Sequence, residues 1–301
     1  MSGNTILVTG GSGQVGGAAV RALAGLGDII APGRDRLDLA NADSIRMMMR
    51  ELRPRWVVNA AAHTVVDKAE SEPELAFALN AEAPRILGQE ARKTGAVVMH
   101  FSTDYVFDGT KVLPYVENDP TGPLNVYGKT KLAGEQALAA TGAAHFIFRT
   151  SWVYGATGKN FLLSILRMAR EREVLRIVAD QHGAPTWSAD LAKLAAHVVM
   201  QVEGERDSAK AAELSGVYHA SGAGETTWFG FASAAVESLR RRDSGVKLAR
   251  VEPISTAEYP TPARRPTNSR LNCARLEQVF GWRMMSWRES LERVMDEMAA
   301  S

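Results

Sequence analysis

Tyr127 and Lys131 stand four residues apart in the run Tyr127-Gly128-Lys129-Thr130-Lys131. Four residues is about one helical turn, so the phenol and the ammonium project from one helix face. A free tyrosine ionises near pH ~10, too high for good proton exchange at neutrality. A neighbouring cation favours the phenolate and draws that value toward the working range. Ser102-Thr103, closing an apolar run, supplies a hydroxyl that can bind a substrate carbonyl beside the tyrosine. Coupled to a nicotinamide, this set reduces a ketone or oxidises an alcohol.

A second constellation lies near the start of the chain. The β-branched run at residues 6–9 leads into a turn that fits two dinucleotide spacings, Gly10-x-x-Gly13-x-x-Gly16 and Gly11-x-Gly13-x-x-Gly16. Glycines permit a tight turn and close backbone approach, and the following helix offers unpaired N–H groups to a pyrophosphate. NAD-selective sites commonly place an acid at the end of the second strand. Here that strand runs into Ala31-Pro32-Gly33-Arg34, with no carboxylate before the arginine. Arg34 could hold a 2′-phosphate, which favours NADPH. Asp35 or Asp38 reaching the ribose instead would suit NADH.

Positioning these groups requires a scaffold of alternating strands and helices. Strands are expected at 6–9, 28–31, 55–59, 96–101 and 145–149. Helices are expected at 15–26, 44–52, 74–94 and 127–140. That alternation predicts an α/β fold of Rossmann type, a doubly wound parallel sheet with ligands beyond the strand C-termini. After residue 150 the alternation loosens, with helices expected at 160–172, 188–202 and 287–298. The polar stretch 204–214 reads as a connector, and proline-rich 253–269 as a loop able to cover a ligand. Residues 1–150 are expected to bind the dinucleotide, with part of 170–205 returning to them. Residues 151–301 are expected to form mainly a smaller, discontinuous α/β substrate lobe.

Bulk properties narrow the class. Lys+Arg 35 against Asp+Glu 34 gives a net charge of +1, with no footprint for nucleic acid. The lone Cys273 excludes an intrachain disulfide and a cysteine metal cage. No apolar run approaches the ~20 residues a bilayer crossing needs, and the first residues lack a signal pattern. The expectation is a cytoplasmic protein without a membrane partner.

Thr9 through Gly16, Ser102-Thr103 and Tyr127-x-x-x-Lys131 together resemble the extended short-chain dehydrogenase/reductases. Longer segments narrow the likeness to the dTDP-4-dehydrorhamnose reductases. Among them are Ser102-Thr103-Asp104-Tyr105-Val106-Phe107-Asp108 and Asp180-Gln181-His182-Gly183-Ala184-Pro185-Thr186; stretches 59–70, 123–135, 149–154 and 265–271 follow the same pattern. The resemblance implies NAD(P)H-dependent reduction of the C4 ketone of dTDP-4-dehydro-L-rhamnose. It implies that Gly13, Gln14 and Val15 line the pyrophosphate, Asp38 and Leu39 the adenine side, and Ala62, His63, Thr64 and Phe101 the rest of the cofactor. It makes Tyr127 the proton donor and Lys131 the residue that binds the ribose and tunes it. Thr103, Asp104 and Trp152 would meet the sugar, and Arg265 the diphosphate.

Some relatives of this kind gather magnesium between subunits with carboxylates, where this chain has Ala18, Ala189 and Arg288. No metal is therefore expected, and a monomer or weak homodimer is. Two rivals share the pattern. A nucleotide-sugar dehydratase or epimerase has the same fold, but dehydratases carry a glutamate where this chain has Tyr105. A non-catalytic, dinucleotide-binding regulatory subunit is the other.

Overall fold

The computed structural model describes residues 4–204 and 208–300. Its centre is a six-stranded parallel sheet of β1 (Thr5–Thr9), β2 (Asp28–Ile30), β3 (Trp56–Asn59), β4 (Val97–Thr103), β5 (His145–Thr150) and β6 (Gly216–His219). The spatial order is β6-β5-β4-β3-β1-β2. The chain winds one way from β1 to β2 and the other from β3 onward. Between β1 and β3 this reversal opens a crevice at the strand C-termini.

Alternation along the strands explains the two faces. Ile6 and Val8 on β1, with Trp56, Val58, Met99, Phe146 and Phe148, join one core beneath the helices Gln14–Ala22 and Ser188–Gly204. Leu7, Val57, Val98 and Ile147 point the other way, against Ile45, Met49, Leu87 and Leu138. These strands are buried on both faces, which is why they read as near-continuous apolar runs.

The expected helix over 74–94 is interrupted. Pro73–Phe77 passes into a π-helical turn, Ala78–Glu82, before Ala83–Thr94 resumes the α-helix. Pro84 has no N–H to give the Asn80 carbonyl, so the α-helical ladder cannot close there. Asn80 turns its side chain to other work, accepting from the His63 backbone at 2.8 Å and donating to Thr130 Oγ1 at 3.1 Å.

The second half departs further from expectation. Within 204–214, Ser208–Glu213 is a short helix, while residues 205–207 lie outside the described residues. β6 follows it and extends the main sheet beside β5. Trp228–Arg242 is a helix the sequence did not announce. Within 253–269 the first residues belong to a strand, Arg250–Ile254, parallel to Val174–Val178; the proline-rich remainder is irregular but for a short 3-10 turn, Thr256–Glu258. The helices Phe161–Glu171, Trp228–Arg242 and Trp287–Ala299 pack a separate apolar core that includes Leu162, Phe231, Trp287 and Leu291.

Candidate active site

A cleft of about 720 Å³ opens over the C-termini of β1, β3, β4 and β5. Its floor is the glycine turn. Gly10 has φ +68°, and a Cβ there would sit 2.9 Å from the Ala61 backbone. At Gly16 a Cβ would lie 2.1 Å from the Gly10 carbonyl oxygen. Only glycine lets the turn close on the next strand and on the helix behind it. The helix Gln14–Ala22 starts at Gly13 without a side-chain cap and with no acid in its first turn. Its free N–H groups therefore face the cleft unpaired, which suits a pyrophosphate and fits a dinucleotide.

Opposite the turn, Tyr127 and Lys131 enter from the helix Val126–Ala139, whose start is fixed by Asn125 accepting from Gly128 N–H at 2.8 Å. Lys131 is 1% exposed, and burial draws its ammonium down to about 8. Its hydrogen bonds run to the Phe101 carbonyl at 2.6 Å and to His100 Nε2 at 3.1 Å, rather than to the phenol. The expectation of a depressed tyrosine is accordingly reversed. Burial pushes the Tyr127 phenol up to about 12, against the opposing pull of the Thr103 hydroxyl. The arrangement holds a neutral phenol, a proton donor in waiting.

Thr103 ends β4 and donates to Asp104 Oδ1 at 2.9 Å. Asp104 is buried, and burial lifts its carboxyl to about 7 against the opposing pull of the Ser269 and Thr103 hydroxyls. Trp152 adopts φ +47° and stacks on Trp228 with centroids 3.7 Å apart and planes 11° from parallel. Such a conformation is strained for a bulky residue, and strain of this kind gathers at functional sites. Arg265 also lines the cleft, where its guanidinium pairs with Asp67 at 2.7 Å.

Of the residues singled out in the sequence, the cleft brings together Gly10, Gly13, Gln14 and Val15 with Ala62, Thr64 and Phe101, and adds Thr103, Asp104, Tyr127, Lys131, Trp152 and Arg265. Gly16 lies beneath it as a spacer. His63 is 8% exposed beside it, with Nε2 3.1 Å from Glu72 Oε2. Arg34 and Asp38 form an exposed pair 4.0 Å apart after β2, and Leu39 is buried in the second core. Ala18 and Ala189 line a groove between their two helices, and with Ser12, Gly13 and Gln14 they also border a smaller cavity on the far side of the glycine turn. Lys159, Phe161 and Trp228 line the cleft without having been expected there. Their sequence context is a helix start, which carries no chemical signature.

The family described as RmlD substrate binding domain matches residues 4–300. A dTDP-4-dehydrorhamnose reductase of Burkholderia thailandensis is 48% identical over 285 residues, 94% of this chain and 95% of its own. Its counterpart in Escherichia coli K12 is 44% identical over 297 residues, 97% of each chain. Among solved structures, a dTDP-4-dehydrorhamnose reductase of Bacillus anthracis in complex with NADP superposes with a TM-score of 0.86 at 35% identity, covering 98% of this chain and 99% of that one. With a family match from end to end and relatives this close, the chain belongs to the dTDP-4-dehydrorhamnose reductase family.

Proposed function

We propose that this chain reduces the C4 ketone of dTDP-4-dehydro-L-rhamnose to dTDP-L-rhamnose with NADPH in the cytoplasm. One observation carries the reading: a half-buried neutral phenol, a hydroxyl and a buried lysine converge opposite an uncapped, glycine-lined helix start. The names of the relatives and the NADP in the Bacillus anthracis structure support the substrate and the cofactor.

The reduced nicotinamide, when bound, supplies the hydride. Gly10, Gly13, Gln14, Val15 and Gly16 receive the pyrophosphate; Arg34 meets the 2′-phosphate, with Asp38 and Leu39 beside the adenine. Ala62, His63, Thr64 and Phe101 border the remainder, and Lys131 holds the nicotinamide ribose. Thr103 exchanges its bond to Asp104 for one to the ketone oxygen. As negative charge gathers there, Thr103 and Tyr127 stabilise it, and Tyr127 gives up its proton. The Lys131 ammonium offsets the phenolate. Asp104 and Trp152 contact the sugar and Arg265 the diphosphate. Residues 1–150 carry the cofactor, and residues 151–301 supply most of the substrate lobe.

The test is loss of reduced-nicotinamide absorbance with dTDP-4-dehydro-L-rhamnose, using NADPH and then NADH. Oxidation with formation of dTDP-L-rhamnose is expected. Folded protein that oxidises neither cofactor would sink the proposal and return attention to epimerisation or a regulatory role.

A further inference from the structure

A line of polar side chains crosses the sheet just beneath the cleft without lining it. Thr9 and Asn59, at the C-terminal ends of β1 and β3, and His100, in the middle of β4, are register partners, so their side chains share one face. All three are at most 1% exposed. Thr9 Oγ1 donates to Asn59 Oδ1 at 2.6 Å, and Asn59 Nδ2 lies 2.9 Å from His100 Nδ1. His100 Nε2 then lies 3.1 Å from Lys131 Nζ.

Donors and acceptors must alternate along such a line. An amide nitrogen only donates, so Asn59 Nδ2 requires a bare Nδ1 on His100. Burial, reinforced by Lys131, keeps the imidazole neutral, and its one proton then sits on Nε2. Nε2–H points at Lys131 Nζ, which can accept only as the uncharged amine. An ammonium demands the reverse: a bare Nε2, a proton on Nδ1, and the Asn59 amide turned to offer Oδ1. Thr9 Oγ1, already accepting from Ala61 N–H at 3.2 Å, then accepts from Asn59 as well. Each arrangement gives His100 and Lys131 complementary donor and acceptor roles, and the charge on Lys131 selects between them.

We propose that His100 is a positioning residue whose tautomer is coupled to the charge on Lys131, with the Asn59 amide turning between Thr9 and His100 as the tautomer changes. Its catalytic consequence rests on the reductase reading above, in which the ammonium must offset the phenolate. The other groups facing Lys131 do not replace it. Glu135 on the same helix favours the ammonium, but Arg149 on β5 already holds that carboxylate at 2.7 Å. Tyr127, one turn earlier, is the neutral phenol.

The direct test is imidazole ¹⁵N NMR of histidine-labelled protein across the alkaline range, with His100 assigned by its loss in His100→Gln. The His100 proton is expected on Nδ1 while Lys131 is charged, moving to Nε2 as Lys131 loses its proton near about 8. In Lys131→Met one tautomer should persist throughout. A wild-type tautomer that never changes overturns the proposal.

Kinetics give the second readout. In His100→Gln the new amide can turn its oxygen to the ammonium, raising the alkaline limb of kcat by about one pH unit. In His100→Leu that acceptor is lost, and the limb falls. Limbs that coincide in all three proteins, or variants that shift alike, would show His100 to be only a filler. A tautomer switch in protein that turns over no substrate would overturn the reductase reading and leave the coupling standing.

Discussion

Arg265 and Asp67 lie 198 residues apart, yet they share a two-pronged ion pair, Nη2 to Oδ2 at 2.7 Å and Nη1 to Oδ1 at 3.0 Å. Asp67 also accepts from the Ala263 backbone at 3.1 Å. One carboxylate thereby ties the proline-rich segment to the rim of the cleft and aims the guanidinium. A fork-shaped donor oriented this way keeps further N–H groups for a phosphate.

Replacing Arg265 by alanine should therefore raise KM for the nucleotide sugar by about 10- to 100-fold, with a smaller effect on kcat. Initial rates against sugar concentration at saturating NADPH measure it. An unchanged KM would remove Arg265 from substrate binding.

Tyr127→Phe removes the hydroxyl proposed to donate the proton while keeping the ring. The expected loss in kcat is about 10²- to 10⁴-fold, with NADPH affinity preserved. Rate and fluorescence titration together decide the matter. Full turnover in this variant would transfer proton donation elsewhere.

Asp104 predicts a dependence of stability on pH. Its carboxyl is lifted to about 7 by burial, whereas in the unfolded chain it titrates near ~4. Between those values the folded protein holds the extra proton, so this group's contribution is full below about 4 and is lost as pH rises through about 7. Thermal melts of Asp104→Asn should lack that decline, and the wild-type melting temperature should drop relative to the variant across the interval. Parallel curves would mean that Asp104 stays ionised.

Arg34 stands exposed beside Asp38, free to swing toward a phosphate. Arg34→Ala should raise KM for NADPH about tenfold and leave NADH nearly unaffected, as loss of one charge-assisted phosphate contact requires. Equal effects on both cofactors would assign the selectivity to other residues.

Much of the scaffold was readable because strands buried on both faces leave unbroken apolar runs, as in Val97-Val98-Met99 before His100. The reactive groups were readable because they sit where those runs stop. β6 escaped notice for the opposite reason. Only Val217 and Tyr218 separate Gly216 from His219, and its sheet partner β5 ends at Thr150. The helix Trp228–Arg242 opens with Trp228-Phe229-Gly230-Phe231, aromatic and glycine residues that favour helices poorly; Thr227 capping and packing against Trp287 and Leu291 support it. A depressed phenol follows from the Tyr127–Lys131 spacing alone. Spacing brings Lys131 to the correct face but says nothing of the carbonyl and imidazole that occupy its nitrogen. Thr9, Asn59 and His100 each look incidental in sequence; only register places them side by side.

The return of the chain to the main sheet limits how such an enzyme can be rebuilt. The helix Ser188–Gly204 lays Leu191, Ala195 and Val198 over the helix Gln14–Ala22, and β6 then covers the open side of β5. A fragment cut after Thr150 would bare β5 as an edge and uncover the part of the first core that Ser188–Gly204 covers. The two halves are consequently not interchangeable cassettes. Recombination that imports a new sugar specificity must carry across the stretch around 188–219, or splice on either side of it.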